Sequence, residues 1–114
     1  MSEILRRHVA AFNNRDLTAL LAGFTDDAVW ITGTTVARGR AELADLLENA
    51  MTRLLPTLTI EEILIDGDRV AARLTERLTH GGEEHTFPIA GFYHLRDGRI
   101  ASAKIYREGS AELG

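Results

Sequence analysis

Three glycine-containing turns divide the second half of the chain into four long segments, and no other feature restricts the fold as strongly. Asp66-Gly67-Asp68, Gly81-Gly82 and Asp97-Gly98 separate Thr57 to Ile65, Arg69 to Thr79, Glu84 to Arg96 and Arg99 to Arg107. Such dipeptides adopt the positive-φ turns that join antiparallel strands, so the spacing predicts a four-stranded meander. Along its second strand, Arg73, Thr75, Arg77 and Thr79 alternate with the apolar set Val70, Ala72, Leu74 and Leu78. On periodicity alone the polar set is a wet face, although Arg77 is also open to a pocket-facing role.

The first half has a helical period. Ser2 is a candidate cap for a helix carrying Ile4, Leu5, Val9 and Phe12 on one side, and Asn13-Asn14 breaks it. Asp16 caps a second, short helix whose stripe is Leu17, Leu20, Leu21 and Phe24. Ala28 to Thr32 is rich in β-branched and aromatic residues and stops at Gly33, which predicts a strand. A third helix starts near Gly39-Arg40, carries Leu43, Leu46, Leu47, Ala50 and Leu54, and closes at Pro56. The order of helix, helix, strand, helix and four strands predicts an α+β domain over residues 1–114, with helices segregated on one face of a mainly antiparallel sheet.

Composition narrows the partners. The formal charge is −4, with both signs interspersed along the 114 residues, so no basic stripe is present to follow a phosphate backbone. Nucleic acid is therefore not an expected partner. The absence of cysteine removes disulfides, thiolate metal ligands and thiol nucleophiles. No segment has the length of a membrane span, and Met1-Ser2-Glu3-Ile4 lacks the features of a signal peptide, which implies a cytoplasmic protein and no membrane partner.

Several residues invite both a structural and a functional reading. His8 lies one helical turn from Ile4 and Phe12, which suits a buried histidine first and a pocket residue second. Trp30 is expected to fill the core, with its edge open to a ligand. His80 and His85 flank the Gly81-Gly82 turn, but a metal would need a third ligand, so a solvated hairpin tip is the reading and no metal is expected.

Asn14-Arg15-Asp16-Leu17, Phe24-Thr25-Asp26-Asp27-Ala28-Val29-Trp30, Arg38-Gly39-Arg40 and Tyr93 to Ile100 together resemble the landmarks of SnoaL-like proteins, within the nuclear transport factor 2-like superfamily. The resemblance implies a cystatin-like cone in which three helices pack on a strongly curved sheet around an apolar pocket. It also relates the chain to ketosteroid isomerase and limonene-epoxide hydrolase. By that resemblance the isomerase base falls on Thr32, its tyrosine on His8 and its aspartic acid at or beside Gly91, so all three groups are replaced. The hydrolase pattern of an Arg and an Asp two positions apart falls on Arg77 and Thr79, with its second acid in the last strand at either Ile105 or Glu108. Losing a carboxylate removes one of the two proton-transfer roles that epoxide opening needs.

Two functions remain open on the sequence. One is a domain enclosing a small apolar or weakly anionic molecule and acting as a cofactor-independent isomerase, cyclase or hydrolase. The other is a non-catalytic ligand-binding or association module of the same fold. No cofactor is implied. Alternation and resemblance together make His8, Phe12, Trp30, Thr32, Arg77, Thr79, Ile89, Gly91, Tyr93 and Tyr106 the candidate pocket residues. A homodimer is also expected, because a sheet face carrying Val70, Ala72, Leu74, Leu78 and Phe92 would need a second copy to cover it.

Overall fold

The first helix buries Leu5, Val9 and Phe12, the stripe its sequence spacing dictates. In the computed structural model, which describes residues 2–53 and 56–107, it runs as α1 (Ser2–Asn13). It is followed by α2 (Leu17–Ala22), β1 (Phe24–Thr32), β2 (Thr35–Arg38), α3 (Gly39–Arg53), β3 (Thr57–Asp66), β4 (Arg69–His80), β5 (Glu83–Arg96) and β6 (Arg99–Arg107). Leu54, Glu108 and the side chains of Ser2 and His80 lie outside the described residues. The expected helices and the four-strand meander are present.

Two local expectations are corrected. Phe24 does not belong to the stripe of the second helix: Gly23 closes α2 by donating its N–H to the Leu20 carbonyl at 3.2 Å, and Phe24 opens β1, fully buried. The strand β2 was not expected; it is four residues long and folds back on β1 through Gly33, whose φ is +58°. The six strands form one sheet in the order β2-β1-β6-β5-β4-β3. All neighbours are antiparallel except β1 and β6, which run parallel with Trp30 opposite Ala103.

Short polar ties fix the helices to this sheet. Asn13 donates to the Leu58 carbonyl at 2.9 Å and accepts from the Leu58 N–H at 2.8 Å, which pins the end of α1 to the start of β3. Arg40 donates to the Phe24 carbonyl at 2.8 Å and pairs with Asp26 at 2.7 Å, joining α3 to β1. Asp27 meets Arg96 across the sheet, and that contact holds its carboxyl below the usual range. The Asp-Asp and Arg-Gly-Arg landmarks are thus structural fastenings.

Pleating gives the sheet two unlike faces. Ala28, Val70, Ala72, Leu74, Leu78, Ile89, Tyr93, Leu95, Ile100, Ala103 and Ile105 are buried, and most of them join the core that packs against the helices. Val70, Ala72, Leu74 and Leu78 therefore lie in the core and not on an uncovered face, which corrects the expectation about which residues a second copy would cover. On the opposite face the register aligns Val36, Ile31, Lys104, Phe92, Ala71 and Leu64 in one row across all six strands. No described helix is long and apolar enough to cross a membrane.

Candidate functional site

Where α1 and α3 meet the inner face of the sheet, the packing leaves a cavity of about 120 Å³. Most of its wall is apolar: Phe12 from α1, Leu46, Leu47 and Ala50 from α3, Leu58 from β3, Leu74 from β4, Ile89 from β5 and Ile105 from β6. An apolar cavity of about 150 Å³ accepts benzene, so the space suits a molecule of roughly that size. Exposure grades the cavity from end to end. His8, Phe12, Leu47, Leu74 and Tyr93 are buried, whereas Thr32, Leu46, Ala50, Leu58 and Arg107 are half-buried. The site is therefore closed towards His8 and Tyr93 and more open where β1 and β6 end.

The closed end is aromatic. The His8 ring lies 5.5 Å from Phe24, 5.7 Å from Trp30 and 6.3 Å from Tyr93, centroid to centroid. Helical spacing places His8 here, on the turn between Ile4 and Phe12. Its Nδ1 is sealed from solvent without a hydrogen-bond partner. Burial pushes the imidazole down to about 4, so the ring is neutral at pH 7. Burial likewise raises the Tyr93 phenol above its ordinary value and keeps it protonated. Thr32 and the half-buried Trp30 project from β1 into the same space.

The charged end is built across three strands. Glu76 on β4 stands opposite Phe87 on β5, while Ile89, two residues on, stands opposite Arg107 on β6. The two side chains reach over β5: Arg107 Nη1 donates to Glu76 Oε1 at 2.5 Å, and Nη2 lies 3.5 Å from Oε2. Glu76 is only 8% exposed. A carboxylate buried to that degree requires a charged partner, and Arg107 supplies it. Among the described residues, these two carry the charge that faces the cavity.

The ten candidate residues divide between the two faces. His8, Phe12, Trp30, Thr32, Ile89 and Tyr93 line the cavity. Gly91 lies directly beneath the Tyr93 ring, where a Cβ would collide with it. Arg77, Thr79 and Tyr106 are exposed on the opposite face, which corrects their assignment to the pocket. Arg77 pairs there with Glu84 at 3.6 Å, and Tyr106 packs edge-on against Phe92 at 5.8 Å. Of the two positions open for the second acid, Ile105 lines the cavity with an apolar side chain and Glu108 lies outside the described residues. Glu76 and Arg107 were missed by the reading of the sequence. Their signal was a lone carboxylate in the apolar alternation of Val70, Ala72, Leu74 and Leu78, and a lone guanidinium in that of Ala103 and Ile105.

His85 is half-buried and stacks on Phe87 at 6.4 Å. Among the described residues no three His, Asp or Glu side chains converge to hold a metal ion. A second concavity, about 540 Å³, lies on the outer face over the apolar row of Ile31, Ala71, Phe92 and Leu64.

Comparison with known proteins bears on the family and the fold. Residues 5–103 match the model of the SnoaL-like domain. No curated protein sequence matches the chain. Among solved structures, an NTF2-like protein of unknown function from Burkholderia pseudomallei superposes with a TM-score of 0.86 at 20% identity, covering 94% of this chain and 89% of that one. An LEH-like epoxide hydrolase from M. tuberculosis superposes with a TM-score of 0.83 at 27% identity, covering 93% and 80%. A putative polyketide cyclase from Sinorhizobium meliloti gives 0.79 at 23%, covering 91% and 94%. At such identities the first and third likenesses are likenesses of fold.

Proposed function

We propose that this chain, which belongs to the SnoaL-like domain family, encloses a small, largely apolar molecule in the inner cavity and moves a proton on it with its own side chains. The observation that carries this reading is the Glu76–Arg107 pair, a carboxylate and a guanidinium set into an otherwise apolar wall. A carboxylate in such a site is the proton acceptor that the sequence had seemed to lack, and the guanidinium orients it while offering N–H groups to a developing negative charge. His8 is neutral and poorly basic there, so it serves the cavity as a hydrogen-bonding ring and not as the base. The reaction class is a cofactor-independent isomerisation, cyclisation or hydrolysis, each of which begins with removal of a proton from carbon, from oxygen or from water.

Proton transfer is testable without the natural substrate. Cyclohexanone is close to the cavity in size and carries exchangeable protons beside its carbonyl. In D2O at neutral pH the wild-type chain should accelerate incorporation of deuterium at those positions, and Glu76→Gln should not. Binding of cyclohexanone to both proteins with no acceleration by either would favour the non-catalytic ligand-binding module.

We propose further that the outer face pairs with a second copy of the chain. Phe92, Tyr106 and Leu64 are 55%, 52% and 61% exposed. Phe92 and Leu64 belong with Val36, Ile31 and Ala71 to a row over six strands, roughly 24 Å at the usual strand spacing, in which Lys104 is the charged member and beside which Tyr106 packs. A face of this kind is rarely left to water by a monomer. Sedimentation at micromolar concentration should give a dimer, and Phe92→Asp a monomer.

A further inference from the structure

Tyr93 is 5% exposed, and its hydroxyl makes no hydrogen bond to any described residue. His8, 6% exposed and 6.3 Å away by ring centroid, makes none either. The His8 Nδ1 is sealed as well as unpartnered, which is unusual because an unmet buried donor or acceptor costs about 1 to 3 kcal/mol. Both line the same cavity at its closed end. The backbone beneath explains how the phenol is aimed. Tyr93 leans along β5 towards Gly91, and a Cβ at position 91 would strike its hydroxyl, Cε1 and Cζ. Gly91 therefore lets the ring lie flat on the sheet. Its hydroxyl then points along the strand towards Ile89 and the body of the cavity.

We infer that the closed end of the cavity recognises an oxygen atom of the ligand, with the Tyr93 hydroxyl as donor and Gly91 as the residue that positions it. This deepens the proposed function by naming the ligand class: a small cyclic molecule with a hydroxyl or carbonyl oxygen at one end and an apolar body. The neutral imidazole of His8 lines the same end of the cavity, and a ligand hydroxyl, which both donates and accepts, suits a phenol and an imidazole side by side. The charged pair at the other end leaves the oxygen end free of competition from Arg107, so the ligand has a fixed direction in the site.

Phenol and toluene test this, because they have nearly the same shape and differ by a hydroxyl for a methyl. Their Kd values are read from shifts of the Trp30 indole N–H resonance, which reports from the cavity wall. The ratio of the two affinities cancels general changes in cavity volume. Tyr93→Phe should lower the preference for phenol over toluene by roughly five- to tenfold, the worth of one hydrogen bond, while leaving toluene nearly unchanged. Gly91→Ala should weaken both together, because the displaced ring then fills the space. An unchanged ratio in Tyr93→Phe would overturn the inference while leaving the cavity as a binding site. Failure of both probes to shift Trp30 in the wild type would overturn the inference and the proposed function alike.

Discussion

The inner and outer faces of β4 carry the same kinds of side chain in different physical states. On the inner face Glu76 is nearly buried and held by Arg107 from two strands away; on the outer face Arg77 is exposed and lies 3.6 Å from Glu84 on the adjacent strand. Both are carboxylate–guanidinium pairs, yet water screens the outer one far more than the inner. The inner pair is committed to its geometry, because either partner alone would be a charge stranded against apolar walls. The outer pair contributes little and tolerates change. The apolar groups divide in the same way. Tyr93 is locked over Gly91 inside the cone, while Phe92, its neighbour in sequence, stands 55% exposed in a row suited to a flat partner surface. On the reading proposed above, the inner face of the sheet serves a ligand and the outer face a second copy.

That contrast is broken most directly by removing one charge from each face. Arg107→Ala should cost about 2 to 4 kcal/mol in thermal or urea unfolding, at the lower side of buried-pair values because the arginine is partly exposed. Arg77→Ala should fall within about 0.5 kcal/mol, as exposed pairs do. Equal effects would mean that the two faces are not electrostatically distinct. Trp30→Ala should cost about 2 to 3 kcal/mol, less than a fully buried aromatic because Trp30 is half-buried.

His8 sharpens the comparison through pH. Its folded pKa of about 4 lies below the ordinary 6.5, so between those values the unfolded chain binds the extra proton. Its contribution is complete above pH 6.5 and is lost as pH falls towards 4, roughly 2 to 3 kcal/mol between pH 7 and pH 4.5. His8→Phe should flatten that part of the profile, measured by urea unfolding at the two values. The same slope in the variant would place the titrating group elsewhere. The smallest effect is expected for Thr79→Asp on the outer face, a few tenths of a kcal/mol and unfavourable, since Thr79 faces Glu84 across the ladder.

The division between what was legible and what was not follows from the same alternation. The meander was readable because turn glycines and two-residue periodicity are local signals. The parallel pairing of β1 with β6 and the four-residue β2 were not, since one joins distant segments and the other is too short to show a period. Six of the candidate residues, His8, Phe12, Trp30, Thr32, Ile89 and Tyr93, line the cavity, since alternation and the resemblance carry parity along a helix or strand. Arg77 and Thr79 were misplaced because aligning a strand to a related pattern leaves the register open by one residue, and one residue sends every side chain to the other face. The same slip concealed Glu76. Its parity with Val70, Ala72, Leu74 and Leu78 would have placed it inside, had a carboxylate in an apolar register been weighed as a sign of function.

The central claim is that the inner face, and not the outer, holds the small molecule. The most direct measurement is a two-dimensional NMR titration of the uniformly labelled chain with cyclohexanone, following the Trp30 indole together with the Phe92 and Tyr106 backbone amides. The account predicts saturable shifts at Trp30 and its cavity neighbours, with Phe92 and Tyr106 unmoved. Shifts centred on Phe92 and Tyr106, with Trp30 unchanged, would place the ligand in the outer groove and contradict it.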